Sequence, residues 1–247
     1  MSLIKIQIQY LNNLNWLNGS LCDYTMGNNV DVWKVNVTSN LHLLNNFSAI
    51  MHPEEIDRAD RYYHARDKNR FIVSRGALRN ILGRYLNMHA SAVEFEIGYN
   101  KKPHIKNAAG NKHYYNMSHS GDWILIAVSN SAIGADTEFI NEVYGYKEVL
   151  QDNFSSEEIA YINQASSIER FFMLWTRKEA LTKATGKGLD EDIKQIPCLD
   201  GIHLAESGVI SSTNDLLVST FILNEQYFAS VASIPHISCI RFFNIYF

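Results

Sequence analysis

Hydrophobic and polar residues follow two different periods along this chain. Residues 1–10 and residues 30–37 alternate between apolar and polar, which predicts strands with one buried face. Residues 123–128 are apolar without interruption, and such a run predicts a strand covered on both faces. Shorter runs predict further strands at residues 93–97, 133–138, 216–223, 227–232 and 237–247.

Two long stretches instead carry the spacing of helices. One covers residues 53–86, opens with a proline and two glutamates, and has a break near His64. The other covers residues 171–184, follows a helix start at residues 155–158, and stops at Gly186.

A faint internal repeat relates the two halves of the chain. Residues 53–56 match residues 156–159 at an offset of 103, and the apolar run at 125–128 falls near residues 228–231 under the same shift. The repeat predicts two similar α/β subdomains, which are residues 1–132 and residues 133–247. A site between them would place an arginine-rich helix opposite a helix that carries a glutamate.

Composition and charge narrow the class of protein. The 247 residues are 46% hydrophobic and 19% charged, with no apolar run long enough to span a membrane. A net charge of −4 argues against general nucleic-acid binding. The three cysteines are scattered, which fits neither a disulfide framework nor a zinc site and favours a reducing cytoplasm.

The helix at residues 171–184 has a chemically unusual face. Trp175, Glu179 and Lys183 are spaced at i, i+4 and i+8, so all three project from the same side. Because the opposite side is apolar, we expect the helix to be buried on both sides, where charge is costly unless it is paired or binds a ligand or a metal. An ordinary surface Glu–Lys pair is the alternative.

Two carboxylates occur on the strand predicted at residues 133–138. Asp136 and Glu138 would point the same way, about 7 Å apart, and Gly134 on that face would leave open space beside them. Such a pair suits a hard divalent cation such as magnesium. An Asp-x-Glu pair is by itself a weak signal, since most such pairs are simply solvated.

Other residues could bind phosphate. Ser118, His119 and Ser120 are predicted to form a tight loop with hydroxyl, imidazole and backbone donors. A serine-hydrolase interpretation is weaker because no G-x-S-x-G motif surrounds them. Arg58 and Arg61 lie one helical turn apart and could grip one phosphate. The alternatives are a structural histidine and a solvated basic face.

Together these motifs resemble the 4′-phosphopantetheinyl transferase superfamily. The motif Gly134-x-Asp136-x-Glu138 is followed, after 36 residues, by Trp175-x-x-Lys178-Glu179-Ala180-x-x-Lys183-x-x-Gly186-x-Gly188. The upstream motifs Asn116-x-Ser118-His119-Ser120 and Lys102-Pro103, and the arginine-rich residues 58–79, resemble the same family. The length is similar to that of the larger, single-chain, surfactin-synthetase-activating branch.

The resemblance implies an α+β fold of two similar α/β subdomains related by a pseudo-twofold axis, with the active site at their interface. It implies transfer of the 4′-phosphopantetheine arm of coenzyme A to a serine of an apo acyl or peptidyl carrier protein, with release of 3′,5′-ADP. Magnesium would be required, with manganese as an alternative ion. Coenzyme A and the carrier would be the partners of a cytoplasmic monomer that binds neither nucleic acid nor membranes.

The resemblance also implies a role for each site residue. Metal ligands would be Asp136, Glu138 and Glu179, and catalytic residues would be Glu179, Lys183 and His119. Coenzyme A would contact Arg58 and Arg61 at its 3′-phosphate, Lys102 and Pro103 at its adenine, and Ser118, His119 and Lys183 at its phosphates. One departure is Glu55, since the family often has a basic residue there. Alternatives are a non-catalytic module that binds coenzyme A or a carrier, and a metal-dependent phosphohydrolase.

Overall fold

The computed structural model describes residues 2–98, 102–106, 113–188 and 191–247. The described strands are β1 Leu3–Tyr10, β2 Trp16–Asn18, β3 Asn29–Asn36, β4 Phe95–Ile97, β5 Pro103–Ile105, β6 Tyr114–Ser120, β7 Trp123–Ser129, β8 Gly134–Phe139, β9 Gly201–Glu206, β10 Leu216–Asn224, β11 Tyr227–Ser233 and β12 Cys239–Asn244. The described helices are α1 Leu44–Ala49, α2 Pro53–Asp60, α3 Ala65–Tyr85, α4 Leu150–Asn153, α5 Ser156–Ile162, α6 Ser167–Thr185 and α7 Ser207–Ile210.

Most of the described strands form two five-stranded sheets. One has the order β8-β11-β10-β1-β9 and the other β2-β12-β3-β7-β6, while β4 and β5 pair as a separate hairpin. Strand β1 pairs in parallel with β10, and strand β12 pairs in parallel with β3. Each sheet is therefore completed by a strand from the other end of the chain.

The internal repeat predicted from the sequence is present in the topology. Both halves contain a strand, a long helix and two further strands, as β3–α3–β6–β7 and as β8–α6–β10–β11. Within the sheets these strands have the equivalent antiparallel orders β3-β7-β6 and β8-β11-β10. The mixed α+β fold with two sheet-rich subdomains is confirmed, whereas the division at residues 132 and 133 stays a prediction.

The alternating and helical patterns predicted most elements correctly. The predicted break near His64 lies between α2 and α3, and Ser155 caps α5 by accepting the N–H of Glu158 at 3.2 Å. The short strands β2 and β9 lie outside the strands predicted from the sequence. The residues Tyr99-Asn100-Lys101-Lys102-Pro103 predict a basic turn, of which residues 99–101 lie outside the described residues.

Each long helix packs on one sheet. Helix α3 covers the sheet that contains Trp33 and Ile126, and helix α6 covers the sheet that contains Val218 and Ala232. Among the described residues, none of the helices combines the length and the apolar character needed to cross a bilayer.

Helix α6 crosses β8 at very close range. A Cβ atom added to Gly134 would lie 2.0 Å from the carbonyl oxygen of Ala180 and 2.3 Å from the backbone nitrogen of Ala184. The prediction that Gly134 leaves open space beside the carboxylates is therefore wrong. The missing side chain instead lets the helix backbone approach the strand, which brings the charged side chains of α6 next to those of β8.

Candidate active site

A cavity of about 320 Å³ lies between elements of both halves of the chain. Its walls come from α3, β5, β6 and α6, and the residues used below are Arg75, Lys102, Pro103, Tyr115, Glu179 and Lys183. Its volume is within the range of small-molecule pockets in proteins. The sequence predicted a site between the halves, and several of its candidate residues line this cavity.

Lys183 links helix α6 to strand β8. Its Nζ atom lies 2.6 Å from Oδ1 of Asp136 and 3.9 Å from Oε2 of Glu179. Burial opposes the charge of Lys183, but the carboxylate of Asp136 outweighs it and the pKa of Lys183 is raised. The predicted spacing on one helix face thus places an ammonium between two carboxylates.

Asp136 is almost completely buried, with 2% of its surface exposed. Its Oδ1 atom accepts the Ser118 hydroxyl at 2.8 Å as well as the Lys183 ammonium. Its Oδ2 atom is buried and has no hydrogen-bond partner among the described residues. Burial raises the pKa of Asp136, and the Lys183 charge opposes that rise. A buried carboxylate oxygen without a partner is costly, so this atom is suited to a bound ligand or cation.

Glu138 lies two residues further along β8. The Ser120 hydroxyl donates to its Oε2 atom at 2.9 Å and also accepts the backbone N–H of Phe139 at 3.1 Å. Burial, and then the nearby charge of Asp136, raise the pKa of Glu138 to about 7. The two carboxylates of the Asp-x-Glu motif therefore each accept a serine hydroxyl from β6.

The segment with Ser118, His119 and Ser120 differs from the prediction. It belongs to strand β6, which pairs with β7, and the predicted tight loop is wrong. Side chains alternate along a strand, so the two serines share the side that faces β8 and His119 projects from the other side. Although His119 keeps an exposed edge, burial of its ring and then the charge of Arg70 lower its pKa. The described contacts do not bring His119 to the carboxylates.

The predicted three-ligand metal site is not preformed. No three Asp, Glu, His or Cys side chains in the described parts of the chain are arranged to hold a metal ion. The Lys183 ammonium instead lies between Asp136 and Glu179, where it neutralises them. The donor chemistry still fits magnesium, because all three side chains are hard carboxylates and Asp136 keeps a buried oxygen without a partner.

The predicted arginine pair lies elsewhere. Arg58 is exposed on α2 and Arg61 is exposed directly after it. The Arg58 guanidinium lies 5.2 Å from the ring centre of Phe71, and Arg61 Nε donates to the carbonyl of Asp57 at 3.2 Å. Neither is among the described residues that line the cavity.

Comparison with known proteins supports the resemblance. Residues 38–131 match a family described as 4′-phosphopantetheinyl transferase, N-terminal, and residues 132–231 match the 4′-phosphopantetheinyl transferase superfamily. The 4′-phosphopantetheinyl transferase HetI of Nostoc sp. is 30% identical over 169 residues, which is 66% of this chain and 71% of that protein. The chain belongs to the 4′-phosphopantetheinyl transferase superfamily.

Two further relatives of this superfamily member show how far the similarity extends. The 4′-phosphopantetheinyl transferase Sfp of Bacillus subtilis is 27% identical over 168 residues, or 67% of this chain and 71% of that protein. A Synechocystis sp. relative is 32% identical over 158 residues, so the chain spans 64% of that protein's length. The resemblance predicted from the motifs, including that to the Sfp-type branch, is confirmed.

Arg75 and Tyr115 are cavity residues that the sequence did not single out. Arg75 lines the cavity from α3, with its guanidinium 4.5 Å from the ring centre of Phe95 and paired with Glu55. Tyr115 lines the cavity from β6, and its buried hydroxyl has no partner with hydrogen-bond geometry, although the Arg75 charge lies near it. Arg75 is one of several arginines on one helical stretch, so only the fold distinguishes it from the exposed ones.

Glu55 occupies the position where the family often has a basic residue, and its contacts explain why an acidic residue fits there. It accepts the backbone N–H of His52 at 3.0 Å at the start of α2 and pairs with both Arg75 and Arg79. Burial opposes its charge, but the two guanidinium groups outweigh this and the pKa of Glu55 is lowered. An acidic residue at this position therefore orients arginines of α3 instead of facing a ligand itself.

Proposed function

We propose that this chain transfers the 4′-phosphopantetheine arm of coenzyme A to a serine hydroxyl of an apo carrier protein and releases 3′,5′-ADP. The observation that carries the proposal is the position of Lys183, whose ammonium is held by Asp136 and Glu179 at the wall of a cavity shared by both halves. Membership of the 4′-phosphopantetheinyl transferase superfamily supports this assignment.

Phosphoryl transfer depends mainly on alignment and on neutralising charge, so the site residues need little covalent chemistry. Lys183 can place its ammonium against the pyrophosphate of coenzyme A, because its side chain lines the cavity. Ser118 and Ser120 hold Asp136 and Glu138 in place through their hydroxyls. These contacts fix the anionic side of the site before any ligand arrives.

Glu179 is the best candidate for the base that accepts the proton of the acceptor serine. It lines the cavity, and burial raises its pKa, which brings it closer to neutral pH where a general base works best. In the ligand-free protein its charge is offset by Lys183. When the Lys183 ammonium binds the pyrophosphate, it would no longer offset the charge of Glu179. Glu179 would then be free to accept the proton of the acceptor serine.

Magnesium is part of the proposal. Asp136, Glu138 and Glu179 would hold it, with the buried Oδ2 atom of Asp136 as the oxygen most in need of a partner. The ion, when bound, would neutralise and polarise the pyrophosphate oxygens. Pro103, Arg58, Arg61 and His119 remain predicted contacts of coenzyme A. The division at residues 132 and 133, the monomeric state and the cytoplasmic location are also part of the proposal.

The direct test is a mass-shift assay. The protein is incubated with coenzyme A, magnesium and each of several apo carriers, and the carriers should gain the mass of the arm. Asp136→Ala and Lys183→Ala should reduce the rate by about 10²–10³, as expected for loss of a strong electrostatic contact, while the exposed Glu142→Ala should not.

Three outcomes would count against the proposal. No mass gain with any carrier contradicts it. Tight binding of coenzyme A without turnover and without a magnesium effect would indicate a binding module. Release of 3′,5′-ADP without any carrier would indicate a phosphohydrolase.

A further inference from the structure

Lys102 makes an unusual set of contacts at the end of helix α6. Its Nζ atom donates to the carbonyl oxygens of Lys183 at 2.5 Å, Ala184 at 3.1 Å and Ile133 at 3.1 Å. A lysine ammonium has three N–H donors, so these three carbonyls use all of them. Lys102 precedes β5 in the first half of the chain, whereas its partners belong to the second half.

Two of these carbonyls, those of Lys183 and Ala184, belong to the last turn of α6. The last four carbonyls of an α-helix lack intrahelical donors, and the helix dipole places partial negative charge there. Gly186 ends α6 with φ +74, a conformation that favours glycine, and a Cβ atom at Gly186 would lie 3.8 Å from Cδ of Lys102. The lysine stem therefore packs beneath the residue where the helix terminates.

The ammonium remains charged under ordinary conditions. Burial lowers the pKa of Lys102 to about 8, which leaves it mainly protonated at neutral pH. The carbonyl of Lys183 is bonded to Lys102, while the side chain of the same Lys183 is bonded to Asp136. The backbone from which Lys183 extends is thus fixed by Lys102, and its ammonium by Asp136.

We propose that Lys102 is a positioning residue, which holds the last turn of α6 so that Lys183 and Glu179 face the cavity, and that it is not a ligand contact. Its three donors are already bonded to backbone carbonyls, and a phosphate or adenine could bind the ammonium only by displacing one of them. Pro103, which is exposed and also lines the cavity, is left as the member of the Lys102-Pro103 motif that faces the ligand. The predicted effect of Lys102 substitutions on kcat rests on the proposed transferase function, whereas their predicted effect on the stability of the last turn of α6 does not.

The first experiment measures amide hydrogen exchange of the ligand-free protein. Lys102→Met removes the donors and keeps the stem, so residues 180–188 should exchange at least about fivefold faster, while residues 167–176 stay unchanged. Lys102→Arg keeps the charge and the donors and should restore most of the protection. Lys106→Met is the matched control, because Lys106 is exposed four residues away and pairs only with Glu94 among the described contacts.

The second experiment separates positioning from ligand contact. Lys102→Met should lower kcat for arm transfer about tenfold or more, while the Kd of 3′,5′-ADP changes less than threefold. The dependence of that Kd on salt should match that of the unmodified protein, since no phosphate contact is lost. Lys102→Arg should recover at least a third of kcat.

A different pattern would overturn the proposal. Unchanged exchange at residues 180–188, with a Kd for 3′,5′-ADP that weakens tenfold and loses salt dependence, would make Lys102 a phosphate contact. Should Lys102→Met fold poorly, Lys102→Gln is measured in its place against the same criteria. If the unmodified protein transfers no arm, the proposed function fails, and the exchange experiment still decides the role of Lys102.

Discussion

The ammonium of Lys183 lies in the field of three carboxylates, from Asp136, Glu179 and Glu138. One positive charge therefore balances three groups whose pKa values burial raises. Such a cluster is costly in the absence of ligands, since partly buried carboxylates repel one another and cannot all remain charged easily. The cluster therefore lowers the free energy of unfolding of the ligand-free protein and forms a site that attracts cations.

We predict that Glu138→Gln stabilises the protein without metal. The folded-state pKa of Glu138, about 7, exceeds the usual 4.5, so the folded protein binds more protons between those values and its free energy of unfolding falls as pH rises through this window. At pH 8 the variant should be more stable by about 2 kcal/mol, or roughly 4–8 °C in Tm.

Thermal unfolding in the presence of a chelator at pH 8 and at pH 4.5 provides the measurement. The gain in stability of Glu138→Gln over the unmodified protein should be large at pH 8 and small at pH 4.5. The rate of arm transfer by this variant should fall about a hundredfold. The exposed Glu142→Gln serves as the control and should show neither effect. A variant less stable than the unmodified protein at pH 8 would contradict the prediction.

At the proposed magnesium site, Lys183 would compete with the ion for the same carboxylates. We predict that Lys183→Met binds magnesium about tenfold more tightly in the absence of coenzyme A, because an internal cation no longer occupies the space between Asp136 and Glu179. Calorimetric titration with magnesium chloride measures this, with Lys106→Met as the control. Equal or weaker binding in the variant would show that the carboxylates are not the metal site.

Residue spacing allowed part of this site to be predicted. The i, i+4, i+8 spacing in α6 puts Glu179 and Lys183 on one face of the helix, and the two-residue spacing in β8 puts Asp136 and Glu138 on one face of the strand. Arg75 and Tyr115 were missed because their position depends on how α3 packs against β6, which local spacing does not encode. Arg58 and Arg61 have the favourable local spacing but lie on an exposed face.

At the level of elements, the contact between α6 and β8 sets the geometry of the site. The helix backbone lies so close to the strand that residue 134 has no room for a side chain. A motif glycine beside two carboxylates suggested empty space for a metal, because the sequence does not show which element covers the strand. In the structure, the space left by the missing side chain of Gly134 is filled by the backbone of α6. The prediction was wrong because the position of α6 could not be known from the sequence.

We predict that Gly134→Ala displaces α6. The added methyl group would meet backbone atoms of Ala180 and Ala184, which cannot rotate away, so overpacking should cost about 2–3 kcal/mol or more and lower arm transfer with it. Urea unfolding monitored by tryptophan fluorescence measures the loss. Gly208→Ala is the matched control, because a Cβ there has no atom within 4 Å. Equal stability of the two variants would contradict the close contact.

Across the whole molecule, the first and last described strands each complete the opposite sheet. Arg241 on β12 binds Asp31 on β3, with its Nε atom 2.7 Å from Oδ1 and its Nη2 atom 2.8 Å from Oδ2. Asp31 is fully buried and also accepts the Tyr85 hydroxyl at 2.5 Å. The exchange of strands is therefore secured by a charged pair in the interior, which no local pattern in the sequence indicated.

We predict that Arg241→Met lowers the free energy of unfolding by about 3–5 kcal/mol, because it leaves the buried carboxylate of Asp31 without a cation. Chemical unfolding measures the loss, and the exposed Arg66→Met should cause almost none. Adding Asp31→Asn to Arg241→Met should recover part of the stability, since the uncompensated charge is then gone. A double variant less stable than Arg241→Met alone would contradict this explanation.

The repeat and the alternating strands predicted two similar halves, and this was correct for their internal topology. The sequence did not show that β1 joins the sheet of the second half and β12 joins the sheet of the first half. Pairing between strands so far apart in the chain is decided by packing across the whole molecule.

The exchanged strands also bear on biosynthesis. During translation, the sheet built on β3, β6 and β7 cannot acquire its β12 neighbour until almost all of the described chain has left the ribosome. Strand β1, although made first, has no partner before β9 and β10 appear. A nascent chain stalled after residue 200 should therefore leave β1 unpaired and open to protease, and the two sheets should be completed only after residues 201–244 have emerged.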